Sequence, residues 1–257
     1  MAQADAMVSS GMRDAGYVYI NIDDLWAAKH RSANGSLVPD PAKFPSGFHA
    51  LSAYIHGKGL KFGLYSDVGA TTCGGQPGSF EHECADAQQF ADWGVDWLKE
   101  DHCDLPTSSK GDIDGFYNSA LGKMRDCLNA TGRAIFFDVC AHSCYDSLER
   151  KHSPECWREW YENATALGNS WRTTTDINDS WKSVLNNWYR NDRFHETLAL
   201  AQFNGPHHWN DPDSLVVGMG GLTPAQERLH FSMWALMAAP LIAGNRLDRM
   251  ENRTIGE

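Results

Sequence analysis

Short apolar runs of strand length alternate along the chain with longer segments in which apolar residues recur at helical spacing. The short runs are predicted to be buried β-strands, because Gly, Pro and acidic residues bound them. The predicted strands cover 17–22, 60–67, 95–98, 134–139, 170–175, 206–213 and 239–244. The predicted helices cover 5–16, 48–56, 86–93, 114–129, 154–167, 194–203 and 224–238. This alternation predicts an α/β fold with a parallel sheet, one strand short of a closed eightfold barrel.

Acidic residues follow several predicted strands at their carboxyl ends, where α/β barrels carry their chemistry. Asp101 follows the third run, and the pair Asp23 and Asp24 follows the first. Taken alone, an Asp just after a strand is more often a helix cap or a turn residue than a nucleophile. Adjacent carboxylates also repel each other, so a functional Asp23 and Asp24 pair needs substrate hydroxyls, cations or a metal ion beside it. A solvated turn stays open as the alternative.

Composition limits the function classes that fit the chain. The 257 residues, with 42% hydrophobic content and 10 Trp, supply enough apolar material for a sizeable core. A net charge of −11 and a pI near 5.4 argue against a nucleic-acid or anionic-membrane partner, because such surfaces need clustered Lys and Arg. No apolar run approaches the roughly 20 residues of a membrane span. The first five residues lack the basic and apolar regions of a signal peptide.

Seven cysteines are many for a cytosolic enzyme, and their spacing lacks the paired C-x-x-C units of zinc sites. We therefore expect disulfides, with at least one free thiol or an outside partner because the count is odd. Five N-x-S/T sequons support a secretory route and glycosylation. They begin at Asn34, Asn129, Asn163, Asn178 and Asn252. The predicted location is secreted or lysosomal/vacuolar.

Six segments occur in the same order as in the melibiase-type enzymes of glycoside hydrolase family 27, which the chain resembles over nearly its whole length. The segments are 19–26 (YINIDDLW), 60–69 (LKFGLYSDVG), 72–80 (TCGGQPGSF), 99–103 (KEDHC), 171–177 (WRTTTDI) and 209–213 (WNDPD). The family comprises α-galactosidases and α-N-acetylgalactosaminidases. The resemblance implies a (β/α)8 TIM barrel and a retaining glycosidase that removes terminal α-linked galactose from oligosaccharides or glycoconjugates.

Carried over by position, the resemblance makes Asp101 the nucleophile and Asp176 the general acid and base. In a retaining enzyme one carboxylate traps the anomeric carbon and a carboxyl group on the opposite face protonates the departing oxygen, about 5 to 5.5 Å away. The residues that the resemblance assigns to sugar binding are Asp23, Asp24, Tyr65, Lys99, Arg172 and Asp213. It also implies a disulfide between Cys73 and Cys103. Trp26 either shapes a sugar face or packs in the core.

The resemblance implies no cofactor and no metal. The implied partner is a small-molecule or glycan substrate with terminal α-galactose, without nucleic acid or membrane, and a homodimer is left open. A divalent-metal site is the rival interpretation, since carboxylate and imidazole suit such ions, although Lys99 and Arg172 would repel the metal. Its candidate ligands are Asp23, Asp24, His207, His208, Asp211 and Asp213.

Two departures from the family pattern bear on function. Where many α-galactosidases carry Cys-Glu-Trp, this chain has Cys140, Ala141 and His142, and the small Ala141 leaves room for an N-acetyl group. α-N-Acetylgalactosaminidase is therefore an alternative activity. The family's first strand, its last barrel helix and its β-sandwich domain have no counterpart, so we expect residues 1–257 to form a single partial TIM barrel. Alone it should be poorly stable or inactive, and an inactive sugar-binding relative is a further alternative.

Overall fold

The computed structural model describes residues 1–107, 112–140, 154–198 and 200–250. Within these ranges the elements alternate between strand and helix. The strands are β1 (Tyr19–Ile22), β2 (Lys61–Asp67), β3 (Trp97–Asp101), β4 (Phe136–Val139), β5 (Ser170–Arg172) and β6 (Trp209–Asp211). The helices are α1 (Ala2–Ser9), α2 (Gly47–His56), α3 (Glu83–Asp92), α4 (Ile113–Ala130), α5 (Pro154–Leu167), α6 (Trp181–Leu198) and α7 (Pro224–Leu236). Short 3-10 helices cover Leu200–Phe203 and Leu247–Arg249.

The six strands form one parallel sheet in the order β1-β2-β3-β4-β5-β6. Because every strand runs in the same direction, all carboxyl ends meet at one edge of the sheet. The register places Asp67 of β2 beside Asp101 of β3, and Lys99 of β3 beside Asp138 of β4. The fold therefore gathers on one edge the acidic residues that are far apart in sequence.

The helix ends follow local sequence signals. Asp112 precedes α4, and its side chain accepts a hydrogen bond from the backbone N–H of Gly115 at 2.9 Å. Thr223 precedes α7 and forms a capping box with Gln226, while Pro224 occupies the first turn, where its missing N–H costs nothing. These caps fix where α4 and α7 begin.

Two expectations about the last third of the chain are wrong. The predicted seventh strand at 239–244 forms no regular strand within the described residues, and contributes one isolated parallel bridge between Ala243 and Leu215. The predicted helix at 194–203 is the end of the longer α6, followed by a 3-10 turn. Trp181, Val184, Leu185 and Trp188 carry the helical period that marks the true start.

Apolar side chains fill the space between the sheet and its helices. The larger cluster includes a group of aromatic rings in which Trp26, Phe48 and Trp93 contact one another with centroid distances of 5.1 to 5.7 Å. A second cluster, which includes Val184, Leu215 and Trp234, lies against α6 and α7. Trp26 is buried and donates its indole N–H to the carbonyl of Tyr65 at 2.8 Å, so it packs in the core.

Disulfides connect Cys73 with Cys103 and Cys84 with Cys127. The first pair was expected from the resemblance and joins the loop after β2 to the end of β3. The second joins α3 to α4, a pairing that the sequence left open. Cys140 is a buried free thiol, which accords with the odd cysteine count. Among the described residues no helix combines the length and the apolar character needed to cross a bilayer.

Candidate active site

The inner face of the sheet borders a cavity of about 1190 Å³. Five of the eight predicted catalytic and sugar-binding residues line it, namely Asp23, Tyr65, Lys99, Arg172 and Asp213. Asp101 and Asp176 join this group through Tyr65 and Arg172, and the backbone N–H of Asp24 donates to Asp23 Oδ1 at 2.8 Å. Beneath the charged residues, the ring of Trp97 stacks on Phe136 at 4.1 Å and Phe136 contacts Trp209 at 5.7 Å. A layer of packed aromatic rings therefore lies next to the charged groups.

Asp101 is the last residue of β3, and its carboxylate is held by three neighbouring groups. Tyr65 donates its hydroxyl to Oδ2 at 3.0 Å, and the backbone N–H of His102 donates to Oδ1 at 2.9 Å. The imidazole Nδ1 of His102 lies 3.2 Å from Oδ1. Burial alone would raise the pKa of Asp101, but His102 and Lys99 outweigh it and hold that pKa well below its usual range. Asp101 is thus an ionised carboxylate with fixed orientation.

Asp23 and Asp24 lie at the carboxyl end of β1 and have different partners. Lys99 Nζ pairs with Asp23 Oδ2 at 2.8 Å, and it also lies 5.2 Å from the centroid of the Tyr65 ring. Asp24 Oδ2 accepts the backbone N–H of Gly74 at 2.7 Å. The positive charge of Lys99 and the Gly74 N–H offset the repulsion between the two carboxylates.

Arg172, at the end of β5, links two other predicted residues. Its Nη2 lies 3.1 Å from Asp176 Oδ1 and 3.0 Å from Asp213 Oδ2. The side chain of Arg172 is 3% exposed, whereas that of Asp176 is 93% exposed. Asp213 also accepts the backbone N–H of Ile177 at 2.7 Å, and it has a left-handed backbone with φ of 80°. Arg172 and Asp213 together anchor the loop that carries Asp176.

Further acidic residues lie at the same end of the sheet. The sequence suggested no role for Asp67, Glu100 and Asp138, and it suggested Asp211 only as a metal ligand. Asp138 and Asp211 are buried and line the cavity, and the pKa of both is raised, chiefly by burial. Asp67 and Glu100 are also buried. The signal that could have found Asp67 and Asp211 was present, since each lies within one of the quoted segments and at a strand end.

The rival metal site is not assembled as expected. His207 and His208 precede β6, whereas Asp213 follows it, so the strand separates the imidazoles from that carboxylate. The His208 ring instead lies 6.1 Å from the ring of Trp171. Over the described ranges, one group of metal-ligand side chains comes close together, namely Asp67, Cys73, Asp101 and Cys103. Its two sulfurs are joined in a disulfide, so neither is a thiolate ligand.

A family model described as Alpha galactosidase A (Melibiase_2) matches residues 1–255. The chain belongs to this family. Alpha-galactosidase 3 from Arabidopsis thaliana is 44% identical over 263 residues, which cover 98% of this chain and 52% of the relative. Alpha-N-acetylgalactosaminidase from Gallus gallus is 44% identical over 253 residues, covering 96% of this chain and 57% of the relative. The chain spans about half the length of such curated relatives.

Solved structures agree with this assignment. The crystal structure of α-galactosidase I from Mortierella vinacea superposes with a TM-score of 0.82 at 31% identity, covering 98% of this chain and 64% of that one. The α-galactosidase of Saccharomyces cerevisiae superposes with a TM-score of 0.81. The resemblance to melibiase-type glycoside hydrolase family 27 and the predicted TIM-barrel class are thereby confirmed.

Proposed function

We propose that this chain carries the catalytic site of a retaining α-galactosidase, with Asp101 as nucleophile and Asp176 as general acid and base. The observation that carries the proposal is the state of Asp101. It is an ionised carboxylate at a strand end, oriented by the Tyr65 hydroxyl at 3.0 Å and set among the residues of the family's sugar-binding segments. Family relatives named α-galactosidase support the substrate class.

The reaction proceeds by double displacement. In the first step an Asp101 oxygen forms a bond to the anomeric carbon, the glycosidic C–O bond breaks, and the departing oxygen takes a proton from the Asp176 carboxyl group. In the second step Asp176 removes a proton from water, the water oxygen bonds to the anomeric carbon, and the Asp101 carboxylate leaves. Both steps require the two carboxyl groups to lie about 5 to 5.5 Å apart across the sugar ring.

Sugar recognition falls to the charged residues that line the cavity or adjoin it. Asp23, Asp24 and Asp213 offer carboxylate acceptors for sugar hydroxyls, while Lys99 and Arg172 supply donors and balance their charge. Hydrogen bonds to ionised groups are about twice as strong as neutral ones. An inverted or missing hydroxyl would leave one of these carboxylates unpaired once the bound sugar had displaced its water, which explains how such a site selects a galactose-like ring.

The substrate is a small sugar or glycan that ends in α-galactose. An α-galactosidase structure from Saccharomyces cerevisiae was determined with raffinose. We therefore include raffinose among the proposed substrates of this chain. The disulfides between Cys73 and Cys103 and between Cys84 and Cys127 fit a secreted or lysosomal/vacuolar protein, because such compartments maintain disulfides. Glycosylation at the sequons other than Asn178, which lies two residues from Asp176, and a homodimer belong to the same proposal.

The second candidate activity is α-N-acetylgalactosaminidase. It is favoured by the Gallus gallus relative, which is as similar to this chain as the plant α-galactosidase. Ala141, the residue that suggested room for an N-acetyl group, lies outside the described residues. Hydrolysis of p-nitrophenyl α-galactoside and α-N-acetylgalactosaminide, measured in parallel, separates the two. Turnover of the second substrate alone would overturn the α-galactosidase assignment.

Covalent labelling tests the catalytic roles directly. A fluorinated galactosyl inactivator should attach to Asp101, and peptide mass spectrometry should locate it there. Asp101→Asn should abolish attachment. Asp176→Asn should permit attachment from a substrate with a good leaving group and should recover turnover when azide replaces water as the nucleophile. Attachment elsewhere, or none in the unmodified protein, would contradict the proposed chemistry and support an inactive sugar-binding relative.

A further inference from the structure

Asp67 is a fully buried carboxyl group beside the proposed nucleophile, and the proposed chemistry does not use it. It is the last residue of β2, is 0% exposed, and pairs in register with Asp101 on β3. A buried acid costs free energy unless its contacts compensate. Its contacts therefore indicate what the residue does.

The carboxyl group of Asp67 holds together the two chain segments that follow β2 and β3. Its Oδ1 accepts the backbone N–H of Gly69 at 2.7 Å, and its Oδ2 accepts the backbone N–H of Cys103 at 2.8 Å. The two segments are packed so closely that a Cβ atom on Gly69 would lie 1.8 Å from the carbonyl oxygen of Cys103. Asp67 thus fixes the position of the backbone that leaves Asp101.

The Tyr65 hydroxyl lies between the two acids. Its oxygen is 3.0 Å from Asp101 Oδ2 and 3.4 Å from Asp67 Oδ2. The hydroxyl has one proton, so it can donate fully to one of these oxygens. If Asp67 carries a proton, its O–H points toward the Tyr65 oxygen and leaves the Tyr65 proton for Asp101. If Asp67 is ionised, it competes for that same proton.

We infer that Asp67 is a positioning residue that works in its protonated form and directs the Tyr65 hydroxyl toward Asp101. The inference rests on the proposed function, because it assigns a partner to the proposed nucleophile. A hydrogen bond from Tyr65 to Asp101 stabilises the carboxylate that leaves in the second step. Ionisation of Asp67 weakens that bond and slows release of the sugar from Asp101.

The electrostatic surroundings of Asp67 agree with this assignment. Burial raises the pKa of Asp67 to about 7, against the two backbone hydrogen bonds, which favour the charged form. The ionisable groups that face it are Tyr65 on its own strand, and Glu100, Asp101 and His102 on the neighbouring segment. Asp101 raises the pKa further and His102 lowers it. A carboxyl with this pKa is mostly protonated in an acidic compartment and ionises near neutrality.

The pH dependence of turnover tests the role. In the unmodified protein, kcat on p-nitrophenyl α-galactoside should fall about tenfold to a lower plateau as the pH rises through an apparent pKa near 7. Asp67→Asn keeps a neutral group with N–H donors there. Its kcat should be about tenfold lower at pH 5 but nearly constant up to pH 8, with KM changed less than twofold. Tyr65→Phe, which keeps both backbone bonds of Asp67, should also lose the alkaline fall.

Two control variants show whether the alkaline fall in kcat comes from Asp67. Asp92→Asn, at an exposed helix position, should keep the unmodified profile. Asp211→Asn removes another buried carboxyl whose pKa is raised to about 7. An alkaline fall that disappears in Asp211→Asn and persists in folded Asp67→Asn would overturn the role of Asp67. A pH profile of kcat that is unchanged in both Asp67→Asn and Tyr65→Phe would also overturn the role of Asp67.

Failure of the proposed function gives a different result. If the unmodified protein neither hydrolyses the galactoside nor takes up the inactivator at Asp101, the function is wrong. Carboxyl 13C NMR then decides the state of Asp67 independently, with the Asp67→Asn spectrum giving the assignment. A titration of Asp67 near pH 7 that perturbs the Tyr65 ring signals supports the inference. An Asp67 that is already ionised at pH 5 overturns it.

Discussion

The guanidinium of Arg172 lies 3.1 Å from Asp176, and this contact joins a buried cation to a carboxylate that is almost fully exposed. The same nitrogen lies 3.0 Å from Asp213. Arg172 therefore connects the rigid end of β5 to the loop that carries the proposed acid and base. The loop gains its position from this contact rather than from regular secondary structure.

Arg172→Lys should lower kcat/KM about 100-fold, equivalent to about 2.7 kcal/mol of transition-state stabilisation. A lysine keeps the charge, but its side chain is one bond shorter, so its ammonium cannot lie where Arg172 Nη2 contacts both carboxylates. Steady-state kinetics on p-nitrophenyl α-galactoside measures the loss. Arg228→Lys, at an exposed position of α7, is the matched control and should leave kcat/KM unchanged. Equal kinetics for the two variants would contradict the anchoring role.

Removal of the Cys84–Cys127 disulfide should have a different effect from removal of the Cys73–Cys103 disulfide. Cys84 and Cys127 are 43 residues apart and join two helices outside the cavity, so replacing both by Ala should cost about 2 to 4 kcal/mol of unfolding free energy. Cys73 lies 3.7 Å from Asp101 Oδ2, so replacing Cys73 and Cys103 should lower kcat as well as stability. Urea unfolding and kinetics on both double variants check this. A larger loss of kcat from the Cys84 and Cys127 pair would refute it.

Gly69→Ala should disturb the site through the backbone alone. The added Cβ would lie 1.8 Å from the carbonyl oxygen of Cys103, so the segment that follows Asp101 must move. We expect a loss of several kcal/mol of stability, or a loss of labelling at Asp101 in whatever folds. Gly205→Ala is the matched control, since no atom lies within 4 Å of its added Cβ. A melting temperature equal to that of the control would show that the two segments are not held so tightly.

Stability should depend on pH through Asp67. Its pKa is raised from 3.8 to about 7 in the folded chain, so its contribution is fully present below pH 3.8 and is lost as pH rises through 7. Burial lowers the pKa of His230 from 6.5 to about 4, which adds the opposite trend below pH 6.5. The difference in unfolding free energy between the unmodified chain and Asp67→Asn should shrink between pH 5 and pH 8, by at most about 3 kcal/mol. A constant difference would contradict the raised pKa.

Much of the fold could be predicted from the sequence because the period of its apolar residues is strong. The helix at 154–167 was predicted with its observed bounds, and 48–56 and 114–129 agree within one residue. The seventh strand failed because an apolar run such as 239–244 does not reveal whether a neighbouring strand pairs with it. The first helix was predicted too long, since it ends at Ser9 and the chain then turns through Gly11 and Gly16 at positive φ.

The candidate site was predicted only in part, because a sequence motif shows which residue types are present but not which atoms they contact. Asp23 stood out as a charged residue at the end of a predicted strand, whereas Lys99 and Arg172 were assigned by the family resemblance. Asp67 lies in one of the quoted segments, but its role depends on Tyr65 and on backbone N–H groups at 69 and 103. Such contacts arise from the register of β2 with β3, which the sequence alone does not specify.

The two carboxylates proposed to react with the substrate belong to different kinds of backbone structure. Asp101 belongs to a strand inside the sheet, whereas Asp176 lies four residues beyond the end of β5 and is 93% exposed. The first group is therefore fixed in position relative to the bound sugar ring, while the loop that carries the second borders the space for the group attached to the sugar. Tolerance for varied aglycones can then evolve through the 173–180 loop without disturbing the geometry of bond formation.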